Sequence, residues 1–323
     1  MDPLETQILG TDDAGIRAAA QVLRDGGLLA FATETVYGLG ADARDSRAVA
    51  RVFEAKGRPT FNPLIVHVSD LAAAERFAIL NEDAKRLGAA FWPGPLSLVL
   101  PLRDDHQLCA LVTAGLGTVA IRVPAHPIAQ RLLKAFDGPI AAPSANPSGK
   151  ISPTRAEHVL DGLNGKIEAV LDAGRCAVGL ESTIVDPSAP PTLLRPGGLP
   201  NGVIEQCLNS PLAVPASENI TAPGQLLSHY APDASVRLDV TAPETGEFHI
   251  GFGGIKGDTS LSESGDLVEA ASRLFDVLHQ ANATGKPLAI APIPRRGLGL
   301  AINDRLRRAA APRDAQEPEN RRR

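Results

Sequence analysis

Metal-ligand spacings, membrane-spanning runs and the common nucleotide fingerprints are all missing from this chain of 323 residues. Cysteine is scarce, with Cys109, Cys176 and Cys207 scattered along the sequence. An odd, sparse set argues against a disulfide frame and fits reduced thiols that serve as small buried apolar residues. No apolar run approaches the roughly 18 residues that a membrane-spanning helix needs. The opening MDPLETQILGTDDAG is acidic and lacks the basic start and apolar stretch of a signal peptide. The cytoplasm is therefore the expected location. A net charge of −5 argues against a mainly electrostatic nucleic-acid binder, which is usually basic, although a local basic cleft stays open.

The chemical motifs thin out further on inspection. SANPSGKIS, from Ser144 to Ser152, holds a Gly-Lys pair but neither the first glycine nor the Ser/Thr of a phosphate-binding P-loop. GFGGIKG, from Gly251 to Gly257, follows a predicted strand but misses the dinucleotide spacing, so it reads as a turn. There is no His-Glu-x-x-His helix, no Cys-x-x-Cys pair and no nucleophile elbow. A standard hydrolase or dehydrogenase has no support.

What is present is an ordinary globular composition, 44% hydrophobic and 21% charged, long enough for two domains. Short apolar runs alternate with amphipathic stretches through residues 1–208, which predicts an α/β (α+β) unit around a mixed sheet. Strands are expected at Gly27–Thr33, Leu64–Val68, Leu96–Leu100, Thr118–Val123, Ile140–Ala142, Ala169–Leu171, Ser182–Val185 and Thr192–Leu194. Helices are expected at Asp13–Arg24, from a cap at Ser46 to Gly57, and at Asn81–Phe91, Ile128–Phe136, Thr154–Leu163 and Val203–Leu208. Residues 209–233, rich in proline and small polar side chains, read as a linker or long functional loop. A second α/β pattern fills 234–312, and the Pro- and charge-rich 313–323 is expected to fray.

Polar residues recur where strands end. TETVYGLGADA, from Thr33 to Ala43, reads as a glycine-rich exit from the first strand, either a structural turn or a place where backbone approaches a ligand. In KGRPTFNPLIVHV, Lys56 and Arg58 stand two apart at a helix end, where two cations can point into one cleft, with Arg58 expected at its surface. His67 interrupts LIVHV and is either a satisfied core histidine or a ligand. Arg122, inside TVAIRVP, needs an ion pair or an anionic ligand if it is buried. Ser144, Asn146 and Ser152 follow a strand in a small-residue loop that could simply turn or could hold phosphate and ribose. LESTIVD and LLRPGG add Ser182, Thr183 and Arg195.

Taken together, TETVYGLG, the K-x-R of KGRP, NPLIVHV, the S-x-N of PSAN, LEST and LRPG resemble, in that order, the YrdC-like domain of threonylcarbamoyl-AMP synthases. The resemblance spans residues 1–208. SHYAP, from Ser228 to Pro232, and GLGLAINDRLRRAA are similar to the linker and small Rossmann-like C-terminal domain of the longer family members. It implies a YrdC-like twisted mixed sheet with flanking helices. It also implies an enzyme that joins L-threonine, bicarbonate or CO2, and ATP with Mg2+ into threonylcarbamoyl-AMP and pyrophosphate. That product serves threonylcarbamoyl modification of adenosine 37 in ANN-decoding tRNAs, through a partner transferase of the Kae/TsaD type.

The resemblance assigns Thr35, His67, Arg122, Ala142 and Ser182 to threonine. It assigns Arg58, Asn62, Thr118, Ser144, Asn146, Ser152, Arg195 and Tyr230 to ATP, with His229 beside Tyr230 in a lid and with Lys56 and Arg58 as the catalytic cations. It names no protein ligand for the metal. Two other readings compete. One is an RNA-binding module using the same Lys56 and Arg58; the other is a carbamoyl transferase of the hydrogenase-maturation type, whose acylphosphatase-like part and zinc-finger cysteines are absent from this sequence.

Overall fold

Two sheets organise the chain in a computed structural model that describes residues 4–215, 222 and 229–312. The middle of the expected linker, 216–221 and 223–228 with Ser228, and the expected frayed tail, 313–323, lie outside the described residues. Among the described residues, no helix is long and apolar enough to cross a membrane.

The larger sheet has ten strands. In chain order they are β1 (Gln7–Leu9), β2 (Leu29–Ala32), β3 (Tyr37–Asp42), β4 (Ile65–His67), β5 (Leu96–Pro101), β6 (Thr118–Arg122), β7 (Ile140–Ala141), β8 (Ala169–Leu171), β9 (Thr183–Asp186) and β10 (Thr192–Arg195). Across the sheet the order is β1-β8-β2-β3-β7-β4-β6-β5-β9-β10, with parallel and antiparallel neighbours mixed. Eight helices serve it: α1 (Asp13–Arg24), α2 (Ser46–Lys56), α3 (Leu71–Glu75), α4 (Glu82–Phe91), α5 (Ala110–Thr113), α6 (Pro127–Phe136), α7 (Ala156–Leu163) and α8 (Asn201–Leu208).

Local chemistry sets their ends. The Asp12 side chain accepts from Gly15 N and starts α1, whose buried Ile16, Ala19, Ala20 and Leu23 form one face. Asp45, rather than the expected Ser46, caps α2, because its carboxylate accepts from both Arg47 N and Ala48 N. Gly57, at φ +60°, ends that helix in the left-handed conformation.

The TETVYGLGADA segment departs from the expected glycine-rich exit. Residues 33–36 turn, and Tyr37–Asp42 then runs back as β3, antiparallel to β2. Its glycines answer crowding, since a Cβ at Gly40 would lie 2.9 Å from Ile140 Cγ2 and 3.0 Å from the Phe31 ring. The strand signal was masked by residues chosen for close packing.

Strand alternation then sorts side chains onto two faces. One face carries Leu64, Val66, Leu96, Leu98, Val119, Ile121 and Val185, and packs on α2, α4, α7 and α8. On the other, α1 and α6 cover Leu29, Phe31, Ile140 and Leu171. Further along that second face, β4, β5, β6 and β9 present Ile65, Val99, Ala120 and Ile184, against which Ala222 of the linker is buried.

The smaller sheet is all parallel, with β11 (Val236–Arg237), β12 (Phe248–Gly251), β13 (Thr259–Ser260) and β14 (Leu288–Ile290) in the order β11-β14-β12-β13. It packs with α9 (Leu267–Asn282) and α10 (Leu298–Ala310). The same apolar cluster takes in Val36, Ile151 and Leu180 from the larger unit, so the two units share buried surface. Gly179, at φ +71°, permits the close approach: a Cβ there would stand 2.5 Å from Ser272 O on α9.

Phe275 is fully buried in this shared cluster, with its ring 5.5 Å from that of Tyr230. Phe275→Ala is expected to cost about 3–5 kcal/mol and to lower the urea midpoint of the smaller unit. An unchanged midpoint would show that the cluster does not hold the two units together.

Candidate active site

The cleft lies on the second face of the large sheet, and strand alternation explains its floor. In LIVHV and TVAIRVP the odd-numbered and even-numbered positions respectively face it, so His67 and Arg122 stand side by side in the parallel register of β4 and β6. Ser97 sits opposite Arg122 across β5 and β6, and its hydroxyl is 2.8 Å from that of Ser182. The cleft is lined by Thr35, Arg58, His67, Arg122, Ala142, Ser144, Ser182, Arg195, His229 and Tyr230, together with Glu181 and neighbouring apolar residues.

Arg122 is buried and resolves the alternative left open by its apolar setting. Its Nη2 donates to Glu34 at 2.6 Å and its Nη1 to Thr35 Oγ1 at 2.8 Å. Glu34 is held in turn by Ala125 N. Arg122 Nε has no hydrogen-bond partner, nor has His67 Nδ1. Buried polar atoms left without partners in a cleft are what a polar ligand would satisfy. Burial, then the neighbouring Arg122, push the His67 pKa down to about 3. At neutral pH His67 is thus an uncharged ring with one donor and one acceptor.

Further buried cations line the same cleft. Arg58 is buried, not at the cleft surface as expected, because its Nε and Nη2 donate to Asn62 O and Pro63 O and fold the guanidinium inward. Burial pulls its pKa down to about 10. Arg195 donates to the carbonyl and hydroxyl of Ser182. Asn62 is buried with both amide atoms unpartnered.

Other expected site residues hold the frame instead of lining the cavity. Lys56 Nζ donates to the carbonyls of Ser144 and Asn146 and so ties α2 to the S-x-N loop. Asn146 Nδ2 donates to Pro147 O and Lys150 O, shaping the same loop. Ser152 Oγ donates to Glu181 at 2.6 Å. Thr118 begins β6, in the same alternating series as Ala120 and Arg122 and therefore on the cleft face, but beyond the cavity lining.

The linker returns across the mouth. Tyr230 is buried at φ +62°, and Ala231 N donates to Gly149 O of the S-x-N loop. His229 N donates to Arg308 O on α10, and burial, with Arg58 and Lys56 nearby, keeps its ring uncharged at neutral pH. Three further polar residues went unnoticed in the sequence: Glu34, Ser97 and Glu181. For Glu34 a signal existed, since a buried arginine demands an acid and TETVYGLG supplies one.

Two family models cover the chain. Residues 21–197 match the one described as Telomere recombination, and residues 201–311 match the one described as Threonylcarbamoyl-AMP synthase, C-terminal domain. The Threonylcarbamoyl-AMP synthase of Pyrococcus abyssi is 43% identical, over 91% of this chain and 94% of that protein. The protein of that name from Bacillus subtilis is 41% identical, over 95% and 96%. The crystal structure of P. abyssi Sua5 complexed with L-threonine superposes with a TM-score of 0.87 at 40% identity, covering 94% of this chain and 98% of that one.

Arg122→Gln should remove cleft binding and, by stranding buried Glu34, destabilise the protein by about 3–5 kcal/mol. The Glu34→Gln/Arg122→Gln double variant should regain most of that stability without regaining ligand affinity. Calorimetric titration beside denaturant melts separates the two effects. Full affinity in the double variant would make Arg122 purely structural.

Proposed function

The chain belongs to the threonylcarbamoyl-AMP synthase family, and from that premise we propose how its own residues carry out a nucleotidyl transfer. The observation that carries the reading is the presence, in one cleft, of Arg122 with an unpartnered Nε beside His67 and of the further buried cations Arg58 and Arg195. The substrates are L-threonine, bicarbonate or CO2, and ATP, and the products are threonylcarbamoyl-AMP and pyrophosphate.

Threonine takes the Arg122 end. Its carboxylate meets Arg122 through the unpartnered Nε, and its hydroxyl meets the Ser182, Thr35 and His67 side, with Ala142 against its methyl. A site that bonds a substrate hydroxyl discriminates strongly against analogues lacking it, and less strongly by a single methyl. ATP takes the other end. Arg58 and Arg195 face the polyphosphate, Asn62 and Ser144 add hydrogen bonds, Thr118 lies further along the same face, and Tyr230 closes over it. Lys56, Asn146 and Ser152 act by holding the S-x-N loop that frames the nucleotide.

The chemistry needs no protein nucleophile. Threonine's amine adds to CO2, forming an N–C bond and releasing a proton to solvent, and an oxygen of the resulting carbamate attacks the α-phosphorus. A new O–P bond forms while the bond to the β-phosphate oxygen breaks, and pyrophosphate carries away the electron pair. Positioning and charge neutralisation dominate such transfers, so the buried arginines are the main protein contribution. Burial beneath Tyr230 and the linker keeps water from the carbamate and the mixed anhydride. Among the described residues no three His, Cys, Asp or Glu side chains group as a metal cage. A Mg2+ ion would then come with ATP, whose phosphates supply hard oxygen ligands and whose charge it offsets. The unstable product would pass to a tRNA threonylcarbamoyl transferase of the Kae/TsaD type.

Pyrophosphate release should require threonine and bicarbonate together, should fall sharply with 2-aminobutyrate, which lacks the hydroxyl, and should fall less with serine, which lacks only the methyl. Arg58→Ala should cut kcat/KM for ATP by about 10- to 100-fold, the worth of hydrogen bonds to a charged group. Release independent of threonine, or wild-type turnover in that variant, would remove the assignment.

A further inference from the structure

A carboxylate stands in a cleft read as a polyphosphate site. Glu181 lines the same cavity as Arg58 and Arg195 and is buried. It opposes an anionic ligand, and it is drawn to Arg195, the neighbouring cation in the cleft. Two groups hold it directly. Ser152 Oγ donates to Oε1 at 2.6 Å, and Arg305 Nε donates to Oε2 at 2.7 Å.

Arg305 comes from α10 of the smaller unit, 124 residues away in sequence, and its side chain is fully buried. Its Nη1 donates to Asp304, and its guanidinium carbon lies 5.1 Å from the centre of the Tyr230 ring. One side chain therefore touches the acid beneath the cleft and the aromatic ring that closes it. Nearby, His279 of α9 meets Ser152 O at 3.2 Å, so the smaller unit grips both ends of that serine contact.

We propose that Arg305 is a positioning residue for nucleotide binding: it neutralises Glu181, so that the acid no longer opposes bound phosphate, and it seats Tyr230. This rests on the reading of the cleft as the ATP site. It gives the C-terminal unit a defined electrostatic part in the reaction, beyond carrying the linker.

The test uses the full-length chain with Arg305→Gln, Arg305→Lys and Arg305→Gln/Glu181→Gln, measuring KM for ATP and for threonine separately alongside thermal midpoints. Arg305→Gln should raise KM for ATP by about tenfold or more, as loss of a charged hydrogen-bond partner does. KM for threonine should move by about twofold or less. Adding Glu181→Gln should restore most of the ATP affinity, since without the acid nothing needs neutralising, and Arg305→Lys should keep much of it. A folded Arg305→Gln protein with normal ATP affinity would overturn the proposal. So would a joint rise of both KM values that Glu181→Gln does not relieve, the mark of a merely structural residue. A wild-type protein that binds no ATP would overturn this role together with the site reading, a pattern distinct from the other two.

Discussion

Burial of positive charge on one half of a sheet face is the constraint on which the site depends. Lys56, Arg58, Arg122, Arg195 and Arg305 are all buried. Taking such groups out of water costs several kcal/mol each unless partners compensate. The protein compensates them unequally. Arg122 and Arg305 have carboxylates, Glu34 and Glu181, within hydrogen-bond distance. Lys56 and Arg58 have backbone carbonyls, which solvate a cation without cancelling its charge. The uncancelled charge is what an anionic ligand can use, and it sits beside Tyr230 at the mouth.

The second unit follows from the same constraint. A ten-stranded sheet with α1 and α6 over part of one face leaves β4, β5, β6 and β9 with the apolar Ile65, Val99, Ala120 and Ile184 and, among them, Ser97, His67 and Arg122. That surface is finished by the linker through Ala222 and Tyr230, and by α9 and α10 through Val36, Ile151 and Leu180. The shared apolar cluster fixes the geometry within which Arg305 can reach Glu181. Core packing and active-site electrostatics are thus one arrangement rather than two.

Much of this was legible in the sequence, for identifiable reasons. The short apolar runs LIVHV and TVAIRVP placed His67 and Arg122 on strands, and their neighbouring register follows from parallel pairing of β4 with β6. The bounds of α1, and the end of α2 at Gly57, were readable in the sequence. Contacts made across long separations were not. Ser97 looks like one polar residue in an apolar strand until β5 meets β6, and Arg305 looks like a surface helix arginine until α10 docks. Strand β3 was hidden because glycines at positions 38 and 40 serve close packing where the eye reads a loop. Asp45 displaced Ser46 as the helix cap because its carboxylate reaches two backbone amides at once.

The central claim is that the two clusters form one bipartite site, amino acid at Arg122 and polyphosphate at Arg58 and Arg195. A crystal structure of the protein with L-threonine and a non-hydrolysable ATP analogue tests it most directly. The threonine carboxylate is expected within hydrogen-bond distance of Arg122 and the triphosphate beside Arg58 and Arg195, beneath Tyr230. A nucleotide seated on the four-stranded sheet of the smaller unit, or threonine away from Arg122, would contradict it.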